Sequence, residues 1–192
     1  SHAMPFAGRP GRPPTLVETV VPLYHDSFHR LGHTIAELVT LPGQLVVSFL
    51  LVVAAAAALW ARGRRAAAVA WPVVWVVATA IEVAFRETLT RPDLYRHGAH
   101  LVAFDTSWPS GHTLRSTIAA AALASAWPRL RPVLGVWLAA LLVLLELAGF
   151  HTPTDVAGGL LLATVAVAGA VALVRSGLLD RWSALRRPRP GA

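Results

Sequence analysis

The chain alternates between long apolar stretches and short polar ones, which is the pattern of a protein with several membrane-spanning helices. Crossing a hydrocarbon core of about 30 Å takes about 20 apolar residues in a helix. Five stretches approach that length and carry at most one charge each: residues 45–61, 66–85, 112–127, 132–150 and 156–174. We therefore predict an all-α transmembrane bundle with five spans.

Residues 15–41 form a sixth helical segment of a different kind. It mixes apolar positions with Glu18, Asp26, Arg30 and Glu37, and burying four charges in a bilayer is expensive. We expect an amphipathic helix that lies on the membrane or caps the bundle, or that inserts in part as a sixth span. Three histidines share one face of this helix, and a polar face toward the headgroups explains them better than a metal site, because no carboxylate has matching spacing. They are His25, His29 and His33.

The expected organisation follows from these patterns. Residues 1–14 hold a cloning remnant ahead of Met4 and an arm rich in Pro, Gly and Arg. The amphipathic helix takes up residues 15–43, the transmembrane domain residues 44–176, and a basic tail residues 177–192. The apolar run begins only after residue 40, so no cleavable signal peptide is evident.

Composition supports a membrane protein and excludes other classes. Apolar residues make up 55% of the chain and charged residues 14%, against about 25% charged in soluble domains. Mean hydropathy is +0.56, and the absence of Cys excludes a disulfide-stapled domain. All 17 basic residues are Arg, giving a net charge of +7. Because these arginines stand in short runs between apolar stretches, we expect membrane lipids as partners and no nucleic acid.

Arginine placement predicts the orientation. If the five spans alternate, ten arginines fall on one side, which the positive-inside rule assigns to the cytoplasm. The prediction is a multi-pass protein of the plasma or inner membrane. The ten are Arg62, Arg64, Arg65, Arg129, Arg131, Arg175, Arg181, Arg186, Arg187 and Arg189.

Two segments on the opposite, non-cytoplasmic side carry candidate chemistry. Pro109-Ser110-Gly111-His112 leads into the third span, and the free N–H groups of a helix start bind phosphate readily. His112 could there donate a proton to a leaving oxygen; the alternative is a Pro-Gly turn with an interfacial His. In the second segment Asp155 follows His151 by four residues. It could fix the tautomer of the imidazole, whose other nitrogen would then act as a base or a nucleophile, or it could act as the N-cap of the last span.

Taken with Arg91-Pro92, these segments resemble the type 2 phosphatidic acid phosphatase (PAP2) superfamily over residues 81–160, where the third motif runs from Gly149 to Gly158. The resemblance implies that His151 attacks phosphorus to form a phosphohistidine, that Asp155 orients it, and that His112 protonates the leaving alcohol. Arg91, Ser110 and Gly111 would bind the phosphate, and no metal or other cofactor is required.

The sequence departs from the family pattern at two basic positions. The family's first-motif Lys corresponds to Ala84, and its third-motif Ser-Arg pair to Leu144 and Leu145. Two arginines are candidate replacements as phosphate ligands, Arg86 near the end of the second span and Arg115 one turn after His112. The alternatives are ion pairs, Arg86 with Glu82 and Arg115 with Glu146.

The sequence therefore predicts an integral membrane phosphatase of a lipid phosphate, such as a polyprenyl phosphate or pyrophosphate, phosphatidate or a related envelope lipid. Its headgroup would enter from the non-cytoplasmic face. One alternative is a phosphotransferase that uses the same phosphohistidine, and another is a non-catalytic protein that binds lipid phosphates. The oligomeric state is not readable from the sequence.

Overall fold

The computed structural model describes residue 35 and residues 37–89, 108–147 and 151–177, and this part of the chain contains helices and no strand. The all-α fold class is thus confirmed for it, and each of the five predicted apolar segments contains a helix. The helices are α1 (Leu45–Ala61), α2 (Arg65–Thr88), α3 (Gly111–Ala126), α4 (Arg131–Leu147) and α5 (Pro153–Arg175). Short 3₁₀ turns, Leu41–Gly43 and Pro128–Leu130, precede α1 and α4.

Within the described residues, three segments are long and apolar enough to cross a membrane: α2, Pro128–Leu147 and α5. A fourth is possible if Glu37–Gly43 and α1, which meet at a bend of 59°, form one broken span. The prediction of five or six crossings therefore stays a prediction. Residues 15–34 of the expected amphipathic helix, with their three histidines, lie outside the described residues, as does the basic tail from residue 178.

Helix α3 is the centre of the bundle and packs against each of the other four described helices. Four of its ten buried residues are alanines, and small side chains let helix backbones approach closely inside a membrane. Leu114 and Ile118 are fully buried on the same helix. The other helices expose large apolar residues, with Val136 on α4 and Leu161 on α5 about 70% exposed. This apolar exterior is typical of a membrane protein.

The first turns of α5 lie so close to the start of α3 that two positions of α5, Gly158 and Gly159, have no room for a side chain. A Cβ at Gly159 would lie 2.5 Å from the Ser110 carbonyl oxygen, and one at Gly158 would lie 2.6 Å from Nε1 of Trp108. The Ser110 N–H donates to the Asp155 carbonyl at 3.0 Å. The two glycines thus allow the N-terminal ends of α3 and α5 to meet, which brings together the two motifs that carry the histidines.

We predict that Gly159→Ala destabilises the protein, by about 1–3 kcal/mol, because backbone atoms of α3 must move to admit the methyl group. Gly169→Ala in the same helix is the matched control. A Cβ there meets nothing within 4 Å, so Ala should be neutral or stabilise the helix by up to about 1 kcal/mol. Thermal unfolding in detergent measures both. Equal stability of the two variants would contradict the close approach.

Candidate active site

The start of α3 offers free backbone N–H groups. Ser110 is the N-cap, and its Oγ accepts from the Thr113 N–H at 3.2 Å. The N–H groups of Gly111 and His112 make no hydrogen bond within the described residues. Such groups at the positive end of a helix dipole bind anions. The Ser110 hydroxyl is fully buried and acts here as a cap, so its predicted phosphate contact stays a prediction.

The two motif histidines face each other across the ends of α3 and α5. The ring centroids of His112 and His151 are 6.0 Å apart, with the ring planes inclined at 57°, so the two imidazoles are neighbours. The backbone N–H of His151 donates to the Leu145 carbonyl at 3.1 Å, which holds the residue against the end of α4. The structure therefore brings together the two histidines that the sequence predicts as nucleophile and acid.

Asp155 helps to cap α5, although it is not the predicted N-cap, and its predicted role in orienting His151 stays a prediction. The N-cap of α5 is Thr152, and Asp155 is the third helical residue of a capping box. Its Oδ2 accepts from the Thr152 N–H at 2.9 Å. The same oxygen lies 3.7 Å from Nδ1 of His151, a buried nitrogen that has no hydrogen-bond partner among the described residues. A shift of about 0.5 Å would form that bond.

Behind the start of α3 lies a buried ion-pair network. Arg115 Nη1 donates to Glu82 Oε2 at 2.9 Å, and Arg86 Nη1 donates to Glu82 Oε1 at 3.2 Å. The Glu82 carboxylate is fully buried. The predicted alternative pair of Arg86 with Glu82 is thus present. The alternative partner for Arg115 was wrong: it is Glu82 on α2 rather than Glu146 on α4.

Arg115 is held directly beneath the free N–H groups. Its Nε donates to the Gly43 carbonyl at 3.0 Å, and its Nη2 makes no hydrogen bond within the described residues. A Cβ at Gly111 would lie 2.6 Å from Arg115 Nη2 and 2.6 Å from Glu82 Oε1. The guanidinium and the carboxylate therefore pack directly against the Cα of Gly111, and they leave no room for a larger residue at this position of the motif.

Not all of the predicted site can be placed. Arg91 lies outside the described residues, so its phosphate contact stays a prediction. The sequence predicted Glu82 only as a partner for Arg86, and the ion pair of Glu82 with Arg115 was not predicted. The available signal was that it is the only charged residue in the second predicted span. In the described part of the chain, no three His, Cys, Asp or Glu side chains gather to hold a metal ion.

Comparison with known proteins agrees with this arrangement. A family model described as the PAP2 superfamily matches residues 81–177, about half of the chain. The chain belongs to the PAP2 superfamily. The match begins one residue before Glu82 and ends two residues after α5, so it contains every described residue of the site except Gly43. No curated protein and no solved structure matches the chain significantly. Membership of the PAP2 superfamily supports a phosphatase, and the apolar helices fit a membrane protein.

The buried network of this PAP2 protein predicts strong coupling between Glu82 and Arg115. Glu82→Gln alone leaves the buried Arg115 guanidinium without its carboxylate, so it should destabilise the fold by about 3–5 kcal/mol. Arg115→Gln leaves Glu82 with Arg86 as its remaining partner and should cost less. The double variant should lose less than the sum of the two. Glu87→Gln, an exposed position on the same helix, is the control and should change stability by about 0.5 kcal/mol or less. Unfolding in detergent measures the cycle, and strictly additive losses would contradict the network.

Proposed function

We propose that this PAP2 protein is an integral membrane phosphatase that hydrolyses a lipid phosphate through a phosphohistidine on His151. One observation carries the proposal. The His112 and His151 rings stand 6.0 Å apart, at a helix start with two free N–H groups and the Arg115 guanidinium behind it. A phosphoryl group between the rings would have a nucleophile on one side and a proton donor on the other.

In the first step Nε2 of His151 attacks phosphorus, because Nδ1 faces Asp155. The nitrogen–phosphorus bond forms as the bond from phosphorus to the alkoxide oxygen breaks. Protonated His112 gives its proton to the departing oxygen and becomes neutral. The Asp155 carboxylate stabilises the positive charge that develops on His151, since opposite charges attract strongly in a poorly hydrated site.

In the second step water hydrolyses the phosphohistidine. Neutral His112 takes a proton from the water as its oxygen attacks phosphorus, and the phosphorus–nitrogen bond breaks. Inorganic phosphate leaves, His151 regains its lone pair, and His112 is protonated again. Both histidines then return to their starting states, so the cycle consumes one water for each ester hydrolysed.

The phosphoryl oxygens carry negative charge throughout, and stabilising that charge supplies most of the acceleration in phosphoryl transfer. The donors available for it are the N–H groups of Gly111 and His112 and the guanidinium of Arg115. Arg86 and Arg91 are proposed as further phosphate ligands. Glu82 has a positioning role, because its carboxylate holds Arg86 and Arg115 at the site.

The finer features of the proposal rest on the sequence and the family resemblance. A lipid substrate fits a site at the ends of apolar helices, where a chain could lie between them while the headgroup reaches the histidines. The arginine distribution favours entry from the non-cytoplasmic face. A polyprenyl phosphate or pyrophosphate, phosphatidate or a related envelope lipid would suit such a site, and the proposed reaction requires no metal.

We predict that His151→Ala abolishes phosphate release from every lipid phosphate in a panel of phosphatidate, phosphatidylglycerol phosphate and polyprenyl phosphates. The reason is that His151 supplies the nucleophile of the proposed reaction. Release is measured with detergent-purified protein and EDTA present. His33→Ala, outside the PAP2 match, serves as the control and should retain activity.

Three results would contradict this proposal. Phosphate release that persists in His151→Ala would exclude the phosphohistidine on His151. Phosphate release that stops when EDTA is added would show that the reaction requires a metal ion. No release from any lipid by folded wild-type protein that binds these lipids would favour the non-catalytic alternative. Addition of glycerol tests the phosphotransferase alternative, because such an enzyme would pass the phosphoryl group to glycerol and form glycerol phosphate in place of free phosphate.

We predict that His112→Ala slows hydrolysis of an alkyl phosphate by about 10²–10⁴-fold, because the alkoxide then leaves without a proton. Nitrophenolate leaves readily without one. With p-nitrophenyl phosphate the variant should therefore release one equivalent of nitrophenol in a burst and then turn over slowly. Stopped-flow absorbance measures the burst, which His151→Ala should lack. An equal slowing of both substrates with no burst would contradict the role of His112 as the acid.

A further inference from the structure

We infer that the opposite end of α3 holds a second site, which binds the phosphodiester headgroup of an anionic phospholipid. A cavity of about 370 Å³ lies there between the α1–α2 loop and the α3–α4 connection. Arg62, Arg64, Arg129 and Trp127 are among the residues that line it. Because α3 has 16 residues, this end lies about 24 Å from the His112 end. The inference does not depend on the proposed hydrolysis.

Two of the arginines are fixed by the helix end itself. Arg62 Nη1 donates to the Ala126 carbonyl, and Arg64 Nη1 donates to the Ser125 carbonyl at 2.8 Å. These carbonyls belong to the last turn of α3, which has no partners of its own within the helix. A guanidinium has five N–H donors, so each of the two arginines keeps donors for a ligand while its position is already set.

The charges in this cavity are unbalanced. No carboxylate in the described residues forms an ion pair with Arg62, Arg64 or Arg129. Three like charges around one cavity repel each other, and an anion bound among them removes that repulsion. Arginine is also the side chain best suited to phosphate, because its planar fork donates two parallel hydrogen bonds. The ligand that suits these arginines is thus an oxyanion with several hydrogen-bond acceptors.

The aromatic residues indicate that this anion belongs to a lipid. The Arg62 guanidinium lies 5.5 Å from the ring centre of Trp127, and that of Arg65 lies 5.4 Å from the ring centre of Trp60. Trp60 is 54% exposed. Tryptophans at the ends of apolar helices lie at headgroup level in a membrane. A phosphate held beside them is therefore at the depth of a phospholipid headgroup, with its acyl chains along the apolar helix surfaces.

The test is a lipid titration of the detergent-purified protein, followed by native mass spectrometry. The probes are dioleoylphosphatidylglycerol and dioleoylphosphatidylcholine, with inorganic phosphate and glycerol 3-phosphate as soluble competitors. The variant is Arg129→Gln, since Arg129 makes no hydrogen bond or ion pair within the described residues and its loss leaves the helix ends intact. The matched control is Arg175→Gln, an exposed arginine at the same end of the bundle but outside the cavity.

The expected result is that wild-type protein prefers phosphatidylglycerol to phosphatidylcholine, and that Arg129→Gln weakens phosphatidylglycerol binding about fivefold. Arg175→Gln should change it less than twofold. Equal losses in the two variants would overturn the site in favour of general attraction by a basic surface. Equal binding of the two lipids by wild type would also overturn it. Displacement of the lipid by millimolar phosphate or glycerol 3-phosphate would identify a soluble anion as the ligand instead.

Discussion

The pairing of Glu82 with Arg115 is the constraint on which the rest of the structure depends. A carboxylate with no exposed surface is tolerated inside a membrane protein only if cations compensate it. Here Arg115 does so while its Nε bonds the Gly43 carbonyl. One side chain thus connects the turn before α1 with α2 and α3. Because the pair packs on Gly111, it also fixes the start of α3, and with it His112.

A second constraint positions the other half of the site. Gly159 lets α5 approach the Ser110 carbonyl, and the Thr152–Asp155 capping box sets where α5 begins. Helices α3 and α5 consequently start at the same place, so that the positive ends of both dipoles point toward it. The histidines adjoin these two helix starts. The proposed anion site would therefore depend on helix packing as much as on the charged side chains.

Hydropathy was enough to predict the helices, because the bilayer imposes a length and an apolar composition on each. Residues 45–61 were predicted as a span, and α1 has the same bounds. Short motifs were enough to predict which residues meet, since Ser110 to His112 and His151 to Asp155 lie at helix starts. The number of crossings could not be settled in this way, because α1 and α3 are shorter than a full span and α3 is buried among the other helices.

The partner of Arg115 could not be predicted from the sequence. Glu82 and Glu146 each lie inside an apolar segment, and hydropathy gives the depth of such a residue but not the side of the helix that it occupies. Only the packing of α2 against α3 decides the choice. The capping role of Thr152 was missed for a related reason. The spacing from His151 to Asp155 suits either an oriented imidazole or a cap at Asp155, and the structure places the N-cap three residues earlier, at Thr152.

The most direct test of this account is to trap the phosphorylated protein. His112→Ala protein would be mixed with p-nitrophenyl phosphate, quenched in alkali and digested, and the modified residue located by mass spectrometry. The account predicts one phosphoryl group per chain, carried by His151, which accumulates because the variant lacks the base for the second step. A phosphoryl group on another residue, or nitrophenol release without any phosphorylated protein, would contradict it.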